Sequence, residues 1–293
     1  MREAASGGEL RVSAPAKINL YLHVLGRRPA GYHELDSLVV FADIGDTVTA
    51  RRADGLTLAL EGPFAEALCG AADNLVLRAA RLLADRAGVA PRAALSLRKN
   101  LPVASGIGGG SSDAAATLRA LTRLWRLSLD EAELAAIAGA LGADVPVCLY
   151  RRSAWLGGIG ERIEAAPELP RLGIVLANPL IPLPTPDVFE ARQGAYSAPA
   201  RFAGAPRDGR ELVALLRARR NDLTLPAIAL LPEIATVLRR LEGSEGARLA
   251  RMSGSGATCF ALYDTTEAAA RAAAAISAIE PRWWVAAGAI PSV

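Results

Sequence analysis

Cysteine, histidine and lysine are all scarce in this 293-residue chain. Its three cysteines, Cys69, Cys148 and Cys259, lie far apart and form no C-x-x-C pair, and His23 and His33 are the only histidines that could join them. A disulfide framework and a structural zinc site are therefore not expected, and a reducing cytoplasm fits. Aromatic residues make up only 5%, so the core must be built from Leu, Val, Ile and Ala. No uncharged apolar run reaches the roughly 18 residues of a membrane span. Met1 to Leu10 also lacks the apolar stretch of a secretory signal, so neither a membrane anchor nor export is expected. Long basic runs are missing too. The net charge of +3 comes from 33 basic and 30 acidic residues mixed along the chain, which argues against a dedicated nucleic-acid or polybasic membrane binder.

What is present reads as a folded protein: 52% hydrophobic and 22% charged residues. At roughly 150 residues per domain the length suggests two domains, and a chain of this size can bury roughly three-quarters of its unfolded surface without staples. Only two of the 33 basic residues are lysines, Lys17 and Lys99; all others are arginine. A retained lysine points to a task that needs a compact point charge rather than a planar fork. Lys99, within Arg98-Lys99-Asn100, reads as an ordinary surface lysine; Lys17 has more telling neighbours.

Residues 10 to 24 read as a strand, a break at Pro15 and a second strand. In the latter, Ile18, Leu20, Leu22 and Val24 face a core, while Lys17, Asn19, Tyr21 and His23 share the other face. Strands are expected at 37–42, 46–51, 56–60 and 93–98, and a helix over 74–88. A further helix should follow the glycine-rich stretch and run to about Leu127. Ser128-Leu-Asp-Glu131 reads as a capping box for the next helix, which Gly142 ends. The pattern weakens from Gly157 to Pro170, and the chain divides there into a first domain over 1–165 and a second over 166–293. The second half reads as a strand at 172–177, a proline-rich loop, a mobile insertion at 196–209, and helices at 211–220 and 232–241. Strands at 248–252, 258–263 and 283–287 and a helix at 267–279 complete it. The fold class is α+β (mixed α/β) in two layers.

Gly106, Gly108, Gly109 and Gly110 precede Ser111, Ser112 and a helix. Such a loop turns successive backbone N–H groups into one concavity, and the helix N-terminus adds positive potential; both suit a polyphosphate. The serine hydroxyls can donate to phosphate oxygens or touch magnesium. No Lys-Ser/Thr follows the last glycine, so this is not a Walker A loop, and Ser111 breaks a dinucleotide fingerprint. Gly254-Ser-Gly256 taken alone reads as a hairpin turn. Phosphoryl transfer to a hydroxyl needs an acceptor-side base. Asp144, on a stiff turn between glycine and proline, is the candidate; a nearby Lys17 would favour its ionised form, and Asp113, Asp36 and Asp43 are rivals.

With these residues in place the sequence resembles the GHMP kinases. The resemblance is carried by Pro102-x-x-x-Gly106-Ile-Gly-Gly-Gly-Ser-Ser112 and Met252-Ser-Gly-Ser-Gly-Ala-Thr258. Three stretches, Ala14-Pro-Ala-Lys-Ile-Asn-Leu20, Gly26-Arg-Arg-Pro-Ala-Gly-Tyr-His-Glu-Leu35 and Leu141-Gly-Ala-Asp-Val-Pro-Val147, resemble the members that phosphorylate a CDP-linked methylerythritol in non-mevalonate isoprenoid synthesis. The resemblance covers residues 12 to 290. It implies an N-terminal ATP-binding domain like domain 2 of ribosomal protein S5, with a left-handed βαβ crossover, a ferredoxin-like C-terminal domain, and ATP and substrate meeting between them. It also implies Asp144 as general base and Lys17 as the cation that orients it and keeps it ionised. Pro102, Val103, Ala104, Ser105, Gly106, Ile107, Gly108, Gly109, Gly110, Ser111 and Ser112 would wrap the ATP phosphates. Tyr32 and His33 would recognise cytosine, with Phe189 sandwiching the base and Thr185 and Asn19 reaching substrate.

Ala104 and Ser105 stand where some members have two further glycines, which should narrow the loop. Magnesium accompanies ATP in such a kinase, with no carboxylate assigned to it; the phosphates and Ser111 would supply ligands. A cytoplasmic monomer or homodimer, binding neither nucleic acid nor membrane, is the expected setting. Two alternatives are a superfamily member acting on homoserine or mevalonate, and a non-catalytic nucleotide or nucleic-acid binding module. The Tyr32-His33 pair argues against the first, and the balanced charge with sparse aromatics against the second.

Overall fold

The computed structural model describes residues 4–6, 8–29, 31–70 and 74–291; Ala30, in the loop before Gly31, lies outside the described residues. In chain order the elements are β1 (Ala4–Ser6), β2 (Glu9–Arg27), β3 (His33–Arg51), β4 (Leu56–Glu61), α1 (Leu75–Ala87), β5 (Ala93–Arg98), α2 (Gly109–Leu124), α3 (Glu131–Leu141) and α4 (Val145–Tyr150). They continue with β6 (Ala154–Gly158), β7 (Arg162–Ala165), β8 (Leu172–Asn178), α5 (Thr185–Glu190), α6 (Gly209–Arg217), α7 (Thr224–Leu230), α8 (Glu233–Glu242), β9 (Leu249–Met252), β10 (Cys259–Tyr263), α9 (Thr266–Ile279) and β11 (Trp284–Ile290). Two compact units result. The first is Met1–Ala16, Gly45–Val103 and Gly108–Arg151; the second is Lys17–Ile44, Ala104–Ile107 and Arg152–Val293.

In the first unit β4, α1 and β5 form a βαβ element, with β4 and β5 parallel from Leu56↔Ala93 to Glu61↔Arg98. On its other edge β5 pairs antiparallel with the Thr47–Arg51 end of β3. Asn74 caps α1 by accepting the Val76 N–H, Gly88 ends it in the left-handed region, and Val76, Ala79, Ala80 and Leu83 form its buried stripe at helical spacing. The α3 capping box is Asp130 with Glu133, two residues later than the serine-based box expected from sequence. The Asp130 carboxylate accepts the Glu133 N–H at 2.8 Å and Glu133 accepts the Asp130 N–H at 2.9 Å, so the acidic pair satisfies both ends.

Pro15 does not break β2, which runs through it. Proline lacks only the donor, and a strand tolerates that where no ladder bond is asked of it. Gly45 of β3 faces the same spot: a Cβ there would fall 2.3 Å from the Ala14 carbonyl oxygen and 2.7 Å from Pro15 Cα, so only glycine allows the approach. Every residue from 14 to 24 is buried. The face carrying Lys17, Asn19, Tyr21 and His23 is therefore covered too, and the alternation in the sequence sorts polar from apolar burial rather than inside from outside.

In the second unit the order β11-β8-β10-β9, antiparallel throughout, places the first and third strands of the domain in the middle. With helices after β8 and between β10 and β11 this is the ferredoxin-like arrangement. Both central strands are buried along their whole length. Val175, Ala177 and Ala261 pack with Ile234, Val237 and Leu241 of α8 and Ala269, Ala272 and Ile276 of α9. The weakly patterned stretch after Gly157 is an antiparallel hairpin of β6 and β7, with β6 also pairing Leu35–Val39 of β3. α7 escaped the sequence reading because Pro226 lies in it, but that proline occupies the first turn, where no N–H bond is needed. The stretch expected to be a mobile insertion at 196–209 is irregular up to Asp208, with Gly209 already opening α6, yet it is tied down. Ser197 donates its N–H to Val24 at 2.9 Å and its hydroxyl to Asp222 at 2.6 Å, the Ala200 N–H reaches Asp36 at 2.7 Å, and Phe202 meets Trp155 edge-on at 4.9 Å.

Candidate active site

The glycine-rich stretch is built by backbone conformation. Ala104, Gly106 and Gly108 take φ of +52°, +74° and +63°. At Gly106 a Cβ would stand 2.4 Å from the Gly256 carbonyl oxygen and 2.9 Å from that of Ser253, so glycine is required for contact as well as for φ. The two glycine motifs, far apart in sequence, therefore meet. The Thr258 N–H donates to the Ser105 carbonyl at 3.2 Å, Ser253 Oγ to the Gly106 carbonyl at 3.3 Å, and the Lys17 N–H to the Ile107 carbonyl at 2.9 Å. Gly254-Ser-Gly256 is both the turn between β9 and β10 and the partner of this loop.

α2 starts at Gly109, with Gly108 as its N-cap, so the last two glycines are the first turn of the helix rather than a loop before it. Their N–H groups belong to the unsatisfied donors of a helix N-terminus, and the helix dipole adds to their pull on an anion. Ser112 Oγ is buried and has no hydrogen-bond partner among the described residues.

Lys99 corrects the surface reading: it is 2% exposed. Its ammonium is bonded to Asp46 and, at 2.8 Å, to Asp113 Oδ2 in the first turns of α2. Lys99 stays charged because both carboxylates outweigh burial, and its pKa is raised. Burial, opposed by Lys99 and reinforced by Asp46, pushes Asp113 up to about 7. Two carboxylates share one cation, so the second is hard to ionise. The signal was present in the sequence. Ala93, Leu95 and Leu97 are the buried alternates of β5, and Lys99 continues that period.

Lys17 and Asn19 lie on one face of β2, 5% and 4% exposed. The Asn19 N–H donates to Ser253 Oγ at 3.1 Å and its amide to Ser37 Oγ at 2.8 Å, which places Asn19 beside the second glycine motif. Asn221 braces that motif through bonds to the Met252 and Gly254 carbonyls, each at 2.8 Å, a role no sequence pattern announced. Asp144 is the half-buried N-cap residue of α4, with φ −87° and ψ −11°; its side chain does not cap that helix. Of the rival carboxylates, Asp36 receives Tyr21 Oη at 3.0 Å and Arg201, Asp43 receives the Ala289 N–H at 2.6 Å, and Asp113 receives Lys99. Each of these three is therefore already engaged by a neighbour within the fold.

Within the second unit His33 and Phe189 come together, rings stacked at 5.1 Å with 25° between planes. Burial, helped by the Arg27 and Arg192 charges, holds His33 below its usual value, so the ring is neutral near pH 7. Tyr32 is exposed at the tip of its loop and has no ring contact with them. Thr185 Oγ1 hydrogen-bonds Ser255 Oγ at 2.7 Å, joining α5 to the second glycine motif. Among the described residues no group of three His, Cys, Asp or Glu side chains could hold a metal. No described helix is long and apolar enough to cross a membrane.

Two family models match this chain: the GHMP kinases N terminal domain over residues 74–152 and the GHMP kinases C terminal over residues 200–281. A 4-diphosphocytidyl-2-C-methyl-D-erythritol kinase of Paramagnetospirillum magneticum is 52% identical over 276 residues, covering 94% of this chain and 96% of that protein. One of the same name from Granulibacter bethesdensis is 54% identical over 268 residues, covering 90% and 89%. A solved 4-(cytidine 5'-diphospho)-2C-methyl-D-erythritol kinase superposes with a TM-score of 0.80 at 35% identity, over 97% of this chain and 100% of that one. A homoserine kinase from Cytophaga hutchinsonii shares the fold with a TM-score of 0.73 at 17% identity, over 100% and 97%. Full-length identity of this order, together with both family models, places the chain among the GHMP kinases, as a member of the 4-diphosphocytidyl-2-C-methyl-D-erythritol kinase family.

Proposed function

We propose that this kinase transfers the γ-phosphoryl group of ATP to the 2-hydroxyl of 4-diphosphocytidyl-2-C-methyl-D-erythritol, giving the 2-phosphate and ADP for isoprenoid synthesis. The observation that carries the reading is the backbone at residues 104–112. It turns three times through positive φ and opens into a helix whose first turn is glycine, glycine and serine, leaving N–H donors bare for an anion. Pro102 to Ser112 would hold the ATP phosphates. Asp144 takes the proton from the acceptor hydroxyl, and Lys17 orients that carboxylate and keeps it ionised. Asn19 and Thr185, each bonded to a serine of the second glycine motif, reach the substrate. The neutral His33 and the flat face of Phe189 bind cytosine by edge and by stacking, and Tyr32 supplies a further ring from its loop.

The unpartnered buried hydroxyl of Ser112 fits a phosphate oxygen or a magnesium ion at the start of α2, and Ser111 stands next to it. Bound magnesium would neutralise charge developing on the β- and γ-phosphates. The division at residues 165 and 166 belongs to the same proposal, supported by the two family models falling one on each side. So do a cytoplasmic location, which three scattered free cysteines fit, and a monomeric or homodimeric state.

Coupled ADP release with magnesium-ATP and the CDP-linked alcohol tests the chemistry. The parent protein turns over, and Asp144→Asn loses at least about a hundredfold in kcat while still binding ATP. Undiminished turnover by Asp144→Asn removes Asp144 from the role of base.

A further inference from the structure

The Lys99 cluster is larger than the packing of α2 requires. Asp46 Oδ2 bonds the Lys99 ammonium, while Asp46 Oδ1 accepts the N–H groups of Asn100 at 2.6 Å and Leu101 at 2.8 Å. Those two residues lead directly into Pro102. The same ammonium bonds Asp113, which follows Ser112 on α2. One carboxylate and one cation therefore tie down both the entry to the glycine-rich stretch and its exit. Gly109, the first residue of α2, rests on the ammonium: a Cβ there would stand 3.1 Å from Lys99 Nζ.

Stability alone does not explain this arrangement. A cation beneath a helix N-terminus opposes the helix dipole. A buried lysine with two buried carboxyl groups is no better for stability than well-packed apolar residues. A compact ammonium with three donors reaches both carboxylates under Gly109, whereas a planar guanidinium would need the space that Gly109 occupies. That accounts for a lysine here in a chain whose basic residues, Lys17 apart, are otherwise arginine.

We propose that Lys99, clamped by Asp46 and Asp113, is a positioning residue that sets the first turn of α2 as the cradle for the ATP phosphates, a role that rests on the ATP reading above. The test is steady-state kinetics with KM measured separately for magnesium-ATP and for the CDP-linked alcohol. Lys99→Arg keeps the charge but not the shape; it should raise the ATP KM by about tenfold or more and leave the alcohol KM within about twofold. Asp113→Asn, whose amide oxygen still accepts from Lys99, should keep the ATP KM within about threefold, while Asp113→Ala should not. A parent-like ATP KM in Lys99→Arg, or equal shifts in both KM values, overturns the proposal and assigns the cluster to packing.

If Lys99→Arg does not fold, the unmodified protein decides. With lysine labelled at the ε-carbon it shows two resonances, one for each lysine, and Lys17→Arg identifies which belongs to Lys99. Saturation with magnesium-ADP should move the Lys99 resonance; an unmoved resonance in protein that binds ADP overturns the proposal. A parent protein that binds no adenine nucleotide and turns nothing over overturns the ATP reading itself, and the proposal with it. ADP binding without turnover of the CDP-linked alcohol overturns the substrate and leaves the resonance to decide the role of Lys99.

Discussion

Asp113 carries a pH signature that its neighbours impose. Burial, ahead of the opposing Lys99 and the reinforcing Asp46, lifts it from 3.8 to about 7. The folded protein therefore holds this proton through a range in which the unfolded chain has lost it. The group favours the fold below that range, and its contribution is lost as pH rises through about 7. Asp113→Asn is neutral at every pH, so its thermal midpoint relative to the parent should rise between about pH 5 and about pH 8. A difference that stays constant across that range would mean Asp113 is ionised throughout. Phe189 makes a separate prediction, since it stacks on a neutral His33. Phe189→Ala should raise the KM for the CDP-linked alcohol by about tenfold, with the ATP KM unchanged, in the same ADP-release assay. At this scale the sequence was readable where spacing speaks, as for Lys17 and Asn19 two residues apart on one strand face. It misled for Lys99, whose polar flanks Arg98 and Asn100 masked the strand period that buries it.

Elements succeed or fail at their junctions. Gly106→Ala would incur two penalties, a φ of +74° and a Cβ 2.4 Å from the Gly256 carbonyl oxygen. The expected loss is more than about 1 kcal/mol, seen as a fall of at least about 2 °C in thermal midpoint, with weaker ATP binding. Ala104 shows the milder case, since its φ of +52° is one that glycine adopts without strain. The 196–208 stretch depends on Asp222, which takes the Ser197 hydroxyl, the Val24 N–H at 2.8 Å and Arg220 at 2.6 Å. Asp222→Ala should leave the ferredoxin-like sheet intact and speed tryptic cleavage after Arg201 and Arg207, read on a gel; unchanged cleavage would mean that Asp36 alone holds the stretch. Strand and helix positions were legible where hydrophobic period and caps are local, as at Asn74 and Gly88 of α1, and not where a proline lay within the element, as in β2 and α7. The anchoring of 196–208 was not legible. Its Ala-, Pro-, Gly- and Arg-rich composition is that of a loop, and its partners Val24, Asp36 and Asp222 are distant in sequence.

For the molecule as a whole the prediction concerns which alcohol is accepted. Offered the CDP-linked methylerythritol, free methylerythritol, homoserine and mevalonate, the protein should release ADP with the first alone. Equal turnover of free methylerythritol would dismiss the cytosine role of His33 and Phe189 while keeping the glycine-rich stretch. The sequence by itself determined most of the longer strands and helices, the two glycine motifs, the family and the short list of chemical groups, because each is written in local spacing and residue type; the short helix α7 and the β6–β7 hairpin were not written there. Only the tertiary structure decided that Gly106 lies on Gly256, that His33 stacks on Phe189, and that Lys99 joins Asp46 to Asp113. Those contacts form when strands and loops remote in the chain are packed to crystal-like density. At that density a missing Cβ or a buried charge is resolved by whatever neighbour the fold supplies.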